Sequence, residues 1–152
     1  MTHGEYAAQL FCEGYNCAQA VAVAFCDVTG LDPKATAKMA SPFGGGFGRQ
    51  REVCGAVSGM LMVLGLATGE YAPTDTAKKA EQYKTVQQLA NEFRKKNSSI
   101  ICRELLGLSQ NGEKISPPTP SERTDEYYKK RPCALLVQDA AEVIEKYLEN
   151  KC

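Results

Sequence analysis

The apolar residues of this chain recur at intervals of three and four, and almost no segment alternates between apolar and polar residues. The first pattern lines one face of an α-helix, whereas alternation would indicate half-buried strands. Two segments, 17–28 and 53–67, are apolar on nearly every side, which is typical of buried helices. We therefore predict an all-α fold, a single-domain bundle of five to seven helices around these two central apolar helices.

Capping residues, glycines and prolines set the expected helix boundaries. Two linking segments are not expected to be helical. Residues 42–51, PFGGGFGRQR, contain four glycines and should form an irregular loop. Residues 109–123 form a Pro-rich polar loop, which we expect to be mobile within one helical domain spanning 1–152. The predicted helices cover residues 5–12, 17–28, 33–40, 52–67, 75–96, 100–107 and 132–150.

Composition and charge exclude several classes of function. The chain has 152 residues with 18 basic and 18 acidic side chains, so it has no broad basic surface and we expect no nucleic-acid partner. Its longest uncharged stretch, 53–69, contains four glycines and predicts a buried helix rather than a membrane span. A single histidine, His3, near a terminus expected to be mobile, argues against a Ser-His-Asp triad, His-ligated zinc and His-ligated haem.

The seven cysteines are the unusual feature of the composition. They make up about 5 % of the chain, below the level that marks a disulfide scaffold. Their odd number does not suit a fully paired extracellular framework, and the N-terminal residues show no secretory signal. We therefore expect a cytoplasmic protein in which cysteines serve as core residues, metal ligands or redox groups.

Position divides the cysteines into two sets. Four of them fall in the first turn of a predicted helix, and these are Cys17, Cys54, Cys102 and Cys133. Free N–H groups and the positive end of the helix dipole favour an anion there, so a thiol should lose its proton more easily. The other three have no such position, and their roles are left open; they are Cys12, Cys26 and Cys152.

Cations flank three of the four helix-start cysteines. Arg49 and Arg51 precede Cys54, Arg103 follows Cys102, and Lys130 and Arg131 precede Cys133. N–H donors and nearby cations are what an anionic iron–sulfur cluster on four thiolates requires. Small buried core thiols remain the alternative interpretation from position alone. Beyond Cys54, the small residues Gly55, Ala56 and Gly59 leave space for a cluster or for a closely packed helix.

These residues resemble a known family. The segments EGYNCAQAV at 13–21 and FGGGFGRQREVCGAVSGMLMVLGL at 43–66, followed by single cysteines at 102 and 133, are similar to the small redox-active proteins named for their C…CGAxxG…C…C pattern. The family's four defining cysteines correspond to Cys17, Cys54, Cys102 and Cys133. The resemblance implies a redox role with a prosthetic group such as an iron–sulfur cluster. No C-x-x-C-H occurs, so covalent haem attachment is not expected.

Three functions follow from these cysteines. The first is electron transfer through a [2Fe–2S] or [4Fe–4S] cluster held by all four as cofactor and metal ligands. The second is thiol–disulfide exchange by two of the same four. The third is a structural Zn(Cys)₄ site or non-catalytic core thiols with no cofactor, although paired zinc knuckles are absent from the sequence. No general acid or base stands out, so the catalytic residues are left unassigned.

The sequence indicates what kind of partner to expect but does not identify it. A redox protein needs an electron donor or acceptor, so we expect a redox partner protein, and a homo-oligomer is left open. Neither the substrate, the reduction potential nor the partner's identity follows from the residues.

Overall fold

The structure, a computed structural model, describes residues 1–108 and 116–151 and is almost entirely helical. Six of its helices are eight residues or longer, and within the described ranges the only extended pairing is one antiparallel bridge between Val53 and Ile101. The predicted all-α fold is confirmed. The helices are α1 (His3–Cys12), α2 (Cys17–Ala24), α3 (Cys26–Thr29), α4 (Pro33–Ala40), α5 (Gly44–Phe47), α6 (Gly55–Thr68), α7 (Thr76–Asn97), α8 (Cys102–Leu105), α9 (Asp125–Lys130) and α10 (Cys133–Asn150), with a 3₁₀ turn at Ser41–Phe43.

Side-chain caps fix where the main helices begin. At α2, the Asn16 side chain accepts a hydrogen bond from the Gln19 N–H, and the Gln19 side chain accepts one from the Asn16 N–H. Asp32 and Asp75 cap α4 and α7 in the same position. Each such cap satisfies an N–H that the helix itself leaves free. The sequence predicts helix starts at Asn16, at Asp32–Pro33 and at Thr74 or Asp75, and the structure confirms caps at Asn16, Asp32 and Asp75.

Two helix boundaries differ from the prediction by three residues or more. The helix expected over 17–28 breaks at Phe25, whose ring is fully buried and stacks on His3 with centroids 4.3 Å apart. The helix expected from residue 52 begins at Gly55, because Val53 and Cys54 are extended and the Cys54 N–H donates to the Ile100 carbonyl. Helix α9 was not predicted, since its short polar sequence has no apolar period.

Helices α2 and α6 lie side by side in the core, as the sequence predicts, and α10 packs against both. Gly59 allows the close approach, since a Cβ at that position would lie 2.7 Å from the Ala18 carbonyl oxygen. Helix α1 packs along α10 and closes another side of the core. No helix in the described part of the chain combines the length and apolarity needed to cross a membrane.

The N-terminus is tied to the bundle through His3. Its Nδ1 lies 2.6 Å from Glu145 Oε1 on α10, and its Nε2 lies 3.0 Å from both carboxylate oxygens of Asp27 on α3. Burial lowers the pKa of the imidazole, but the hydrogen bonds and charges of Glu145 and Asp27 outweigh it and raise the pKa above the ordinary value. The expectation that the terminus around His3 is mobile is therefore wrong.

Candidate functional site: a cysteine and arginine cavity

All four singled-out cysteines begin a helix, as predicted. Cys17, Cys102 and Cys133 are the first residues of α2, α8 and α10, and Cys54 is the N-cap of α6. Cys54 and Cys102 are buried, with 5 % and 8 % of their surface exposed, and the other two are partly buried. Each of the four is a free thiol.

Three of these four thiols line one cavity of about 380 Å³, which we call the cysteine cavity. Cys54 lies behind it, in the turn that brings Gly55 against Cys17. The remaining wall comes from the Gly-rich loop, the start of α2, and residues 118–131. The residues that line the cavity are Phe11, Asn16, Cys17, Ser41, Gly44, Gly45, Gly48, Arg49, Arg51, Cys102, Leu106, Pro118, Pro120, Ser121, Arg123, Tyr127, Arg131 and Cys133.

The Gly-rich loop brings backbone close to the thiols. Gly45 and Gly46 have φ values of 74° and 66°, which side-chain-bearing residues rarely adopt, and they interrupt the single turn of α5. A Cβ on Gly46 would lie 2.6 Å from the Cβ of Cys102. The backbone of Gly45 also hydrogen-bonds the Cys17 sulfur. The loop therefore wraps around the cysteines, as its composition allowed.

Burial dominates the acidity of the thiols. Desolvation raises the pKa of Cys17 and of Cys54, and it raises the pKa of Cys133 to about 11. Repulsion between the thiolate charges adds to this effect: Cys17 acts on Cys54, and Cys17 and Cys102 act on Cys133. The thiols are therefore close enough to influence one another's ionisation.

The expectation of readily ionised thiols is wrong for three of the four cysteines. Backbone N–H groups at the helix starts do lower the pKa, through Ala18 at Cys17 and through Ala56 and Val57 at Cys54. Their effect is smaller than the desolvation that accompanies burial. A helix start that faces water would favour the thiolate, but these helix starts face the interior.

Among the described residues, four arginines and no aspartate or glutamate line the same cavity; the arginines are Arg49, Arg51, Arg123 and Arg131. Within residues 1–108 and 116–151, none of the four forms a salt bridge. Crowding of the positive charges is evident at Arg49, whose pKa is lowered by burial and by the charges of Arg51 and Arg131. The cavity is therefore electropositive and supplied with N–H donors.

Arg51 is the most deeply placed of these cations, with 3 % of its surface exposed. Its Nε donates to Ser116 Oγ at 2.9 Å, and its Nη1 donates to Cys102 Sγ at 3.6 Å. Its Nη2 is buried and has no hydrogen-bond partner among the residues that the structure describes. Arg51 precedes Cys54 in the sequence, but in the structure its guanidinium contacts Cys102. Arg103, the cation expected at Cys102, instead binds the Glu52 carboxylate and the Arg51 carbonyl.

Arg123 and Tyr127 line the cavity but were not predicted from the sequence as residues of the site. Arg123 donates to the carbonyl oxygens of Phe11 and Tyr15, and its guanidinium lies 4.3 Å above the centre of the Phe11 ring. Tyr127 lies on α9 and stands beneath the guanidinium of Arg131, 5.3 Å from it. A lone arginine in a polar loop and a tyrosine on an unpredicted helix give no signal in the sequence.

Two of the remaining cysteines, Cys12 and Cys26, are described by the structure, and both lie away from the cysteine cavity. Cys12 is exposed at the end of α1. Cys26 begins α3, so the prediction that it does not lie at a helix start is wrong. It contacts Thr36 Oγ1 at 3.5 Å and lines another cavity together with His3. A helix start alone therefore does not distinguish a cysteine of the cavity from another cysteine. Cys152 lies outside the described residues, as does the part of the predicted mobile loop from 109 to 115.

The described segment 116–124 forms one side of the cavity. Ser116 receives the Arg51 hydrogen bond, and its N–H donates to the Arg49 carbonyl. The Pro117 carbonyl accepts from Arg49 Nε at 2.6 Å. Among the residues that the structure describes, no three Cys, His, Asp or Glu side chains converge closely enough to bind a single metal ion.

The fold and the cavity define a small all-α protein with cysteines gathered at an arginine-lined cavity. The chain belongs to the family described as "Putative redox-active protein (C_GCAxxG_C_C)", whose model matches residues 15–147 and so includes all four helix-start cysteines. The family name writes Gly before Cys, whereas here Cys54 precedes Gly55. No curated protein and no solved structure matches the chain. The family description supports the redox part of the predicted function.

Proposed function

We propose that the chain is an electron-transfer protein that holds an iron–sulfur cluster on Cys17, Cys54, Cys102 and Cys133. One observation carries the proposal. Three of these thiols face a single cavity whose described lining contains four arginines and no carboxylate. Such a cavity suits an anionic group bound through sulfur, and a cluster with four thiolate ligands is such a group.

The donors around the cysteines suit this occupant. Backbone groups of Gly45, Ala56 and Val57 hydrogen-bond the sulfurs of Cys17 and Cys54, and Arg51 donates to Cys102. Hydrogen bonds to ligand sulfurs and nearby charges are the means by which a protein tunes a cluster's reduction potential. When bound, the cluster would supply one-electron chemistry; the chain's own residues orient the ligands and shield them from water.

The raised thiol pKa values are compatible with ligation. A bound cation stabilises the thiolate, so coordination itself drives the loss of the proton. Free thiols with raised pKa values are weak nucleophiles, which disfavours unassisted thiol–disulfide exchange. A cluster also spreads its ligands over several iron atoms, so its cysteines need not converge on one point as they would around a single zinc ion.

The test is anaerobic purification followed by reconstitution with ferrous iron and sulfide. We expect a brown protein with visible absorption and with iron and sulfide in stoichiometric amounts. Serine variants at each of the four positions should lose most of the bound iron, while Cys12→Ser and Cys26→Ser, which remove thiols elsewhere, should retain it.

Other outcomes would overturn the proposal. A colourless protein that loses two titratable thiols on oxidation would indicate thiol–disulfide chemistry instead. Zinc that survives dialysis, or iron that remains bound in all four serine variants, would equally reject a cluster on these cysteines.

A further inference from the structure

The geometry points to a second binding capacity in the cysteine cavity: we infer that the cavity takes up a small oxyanion of the phosphate, sulfate or carboxylate type at Arg51 and Arg131. This inference concerns an exchangeable ligand and goes beyond the proposed cluster. It applies equally to the metal-free protein.

Arg51 is the principal reason. It is 97 % removed from solvent, and two of its three guanidinium nitrogens are fixed by Ser116 and Cys102. The third, Nη2, is buried and has no partner within residues 1–108 and 116–151, and its residue lines the cavity. Nη2 itself is closed to a water-sized group, so the Arg51 side chain must turn slightly for a bound oxyanion to accept from it; that hydrogen bond would satisfy a charged donor that the fold leaves unpaired.

Arg131 supplies the second contact. Its guanidinium is held over the Tyr127 ring, and it makes no hydrogen bond or salt bridge to any residue in the described ranges. A planar guanidinium recognises oxyanions through paired N–H donors. The described lining residues include no carboxylate that would compete for these donors or repel an anion.

The space is sufficient for such a ligand. A cavity of about 380 Å³ has room for roughly a dozen water-sized groups, and a tetrahedral oxyanion fills less than half of that. A ligand on Nη2 would share the Arg51 guanidinium with the Cys102 sulfur, which accepts from Nη1. The anion would therefore lie beside the redox-active cysteines. The charge of the anion and the charge of these cysteines would affect each other.

Isothermal titration calorimetry on the reduced, metal-free protein tests the inference. Sodium phosphate, sodium sulfate and sodium acetate are the probes, each measured against sodium chloride at equal ionic strength. We expect saturable one-to-one binding of at least one oxyanion, with phosphate and sulfate distinguishing a tetrahedral ligand from the carboxylate of acetate.

Three variants locate the binding. Arg51→Lys and Arg131→Gln should each weaken it at least tenfold, whereas Arg94→Gln, which removes an exposed arginine of α7, should leave it unchanged. If Arg51→Lys does not fold, as judged by circular dichroism, Arg131→Gln alone decides.

The inference is overturned if none of the three oxyanions binds more tightly than chloride, or if Arg131→Gln binds as tightly as the wild-type chain. Because no iron is present in this experiment, its failure leaves the cluster proposal standing. In the same way, failure of reconstitution would leave the oxyanion site unaffected.

Discussion

Gly55 lies directly against Cys17, so that a Cβ at position 55 would overlap the Cys17 sulfur and lie 2.9 Å from the Phe43 carbonyl oxygen. This contact brings the first turn of α6 onto the first turn of α2. Cys54 precedes Gly55, so the same contact places two of the four thiols side by side. The small residue after Cys54 thus serves helix packing and the arrangement of the site together.

Two glycines of α6, Gly59 and Gly65, provide a matched test of this packing. Gly59→Ala should lower the free energy of unfolding by about 1–3 kcal/mol, because the new methyl group would meet the Ala18 carbonyl at 2.7 Å. A methyl group at Gly65 would meet no described residue within 4 Å, so Gly65→Ala should raise the free energy of unfolding by up to about 1 kcal/mol through helix propensity. Urea denaturation of both variants measures the difference. Equal effects would show that α2 and α6 are not in close contact at Gly59.

Gly55→Ala should affect the thiols as well as stability. The added methyl group displaces Cys17, so we expect iron incorporation to fall more than it does in Gly59→Ala. Reconstitution of the two variants under identical conditions, with iron counted per folded chain, checks this expectation. Full iron loading of Gly55→Ala would contradict the placement of Cys17 against α6.

The Cys133 thiol predicts that the free energy of unfolding falls as the pH rises. Its pKa is about 11 in the folded chain and 9.0 in an unfolded one, because burial and the charges of Cys17 and Cys102 oppose ionisation. A raised pKa stabilises the fold fully below pH 9.0, and this contribution is lost as the pH rises through 11. In the metal-free protein, the unfolding free energy should fall by on the order of 2 kcal/mol over this range.

Cys133→Ser is the comparison for that measurement. It should lose less stability between the same two pH values, since it no longer carries the titrating thiol. Alkylation of Cys133 at neutral pH should also be slower than alkylation of the exposed Cys12, as followed by mass spectrometry of the labelled peptides. Rapid labelling of Cys133 at neutral pH would argue against the raised pKa.

His3 predicts a second pH dependence of stability, at lower pH than that of Cys133. Its pKa is raised above 6.5 by Glu145 and Asp27 in spite of burial, so protonation stabilises the fold. The contribution is fully present below 6.5 and is lost as the pH rises through the folded value. His3→Gln should therefore cost more stability at about pH 5.5 than at about pH 8.5. A cost independent of pH would mean that stacking on Phe25 alone accounts for the residue's contribution.

Arg123 anchors the segment over the cysteine cavity. Arg123→Gln should lose at least one of the hydrogen bonds to the Phe11 and Tyr15 carbonyls and the contact with the Phe11 ring, at a cost of about 1–3 kcal/mol. We expect faster cleavage of residues 116–131 by chymotrypsin, with Arg94→Gln as the surface control. Unchanged cleavage would show that Arg123 does not hold this segment.

The helical architecture follows from the sequence because its causes are local. The 3.6-residue period, the caps at Asn16, Asp32 and Asp75, and the glycines between helices each act within a few residues of the chain. The same locality explains why the four helix-start cysteines were predicted correctly as a positional set. Helix α9 was missed because its six residues, Asp125–Lys130, carry no apolar stripe.

The tertiary structure alone decided what surrounds those cysteines. Arg51 pairs with Cys102 across 51 residues of sequence, Arg123 reaches back to Phe11, and Ser116 closes over Arg51. It also decided the acidity of the thiols, because desolvation depends on what covers a helix start and not on the helix start itself. The sequence by itself determined that Cys17, Cys54, Cys102 and Cys133 lie at helix starts, whereas three-dimensional packing determined that three of them line an arginine-rich cavity, since burial and long-range pairing exist only in the folded chain.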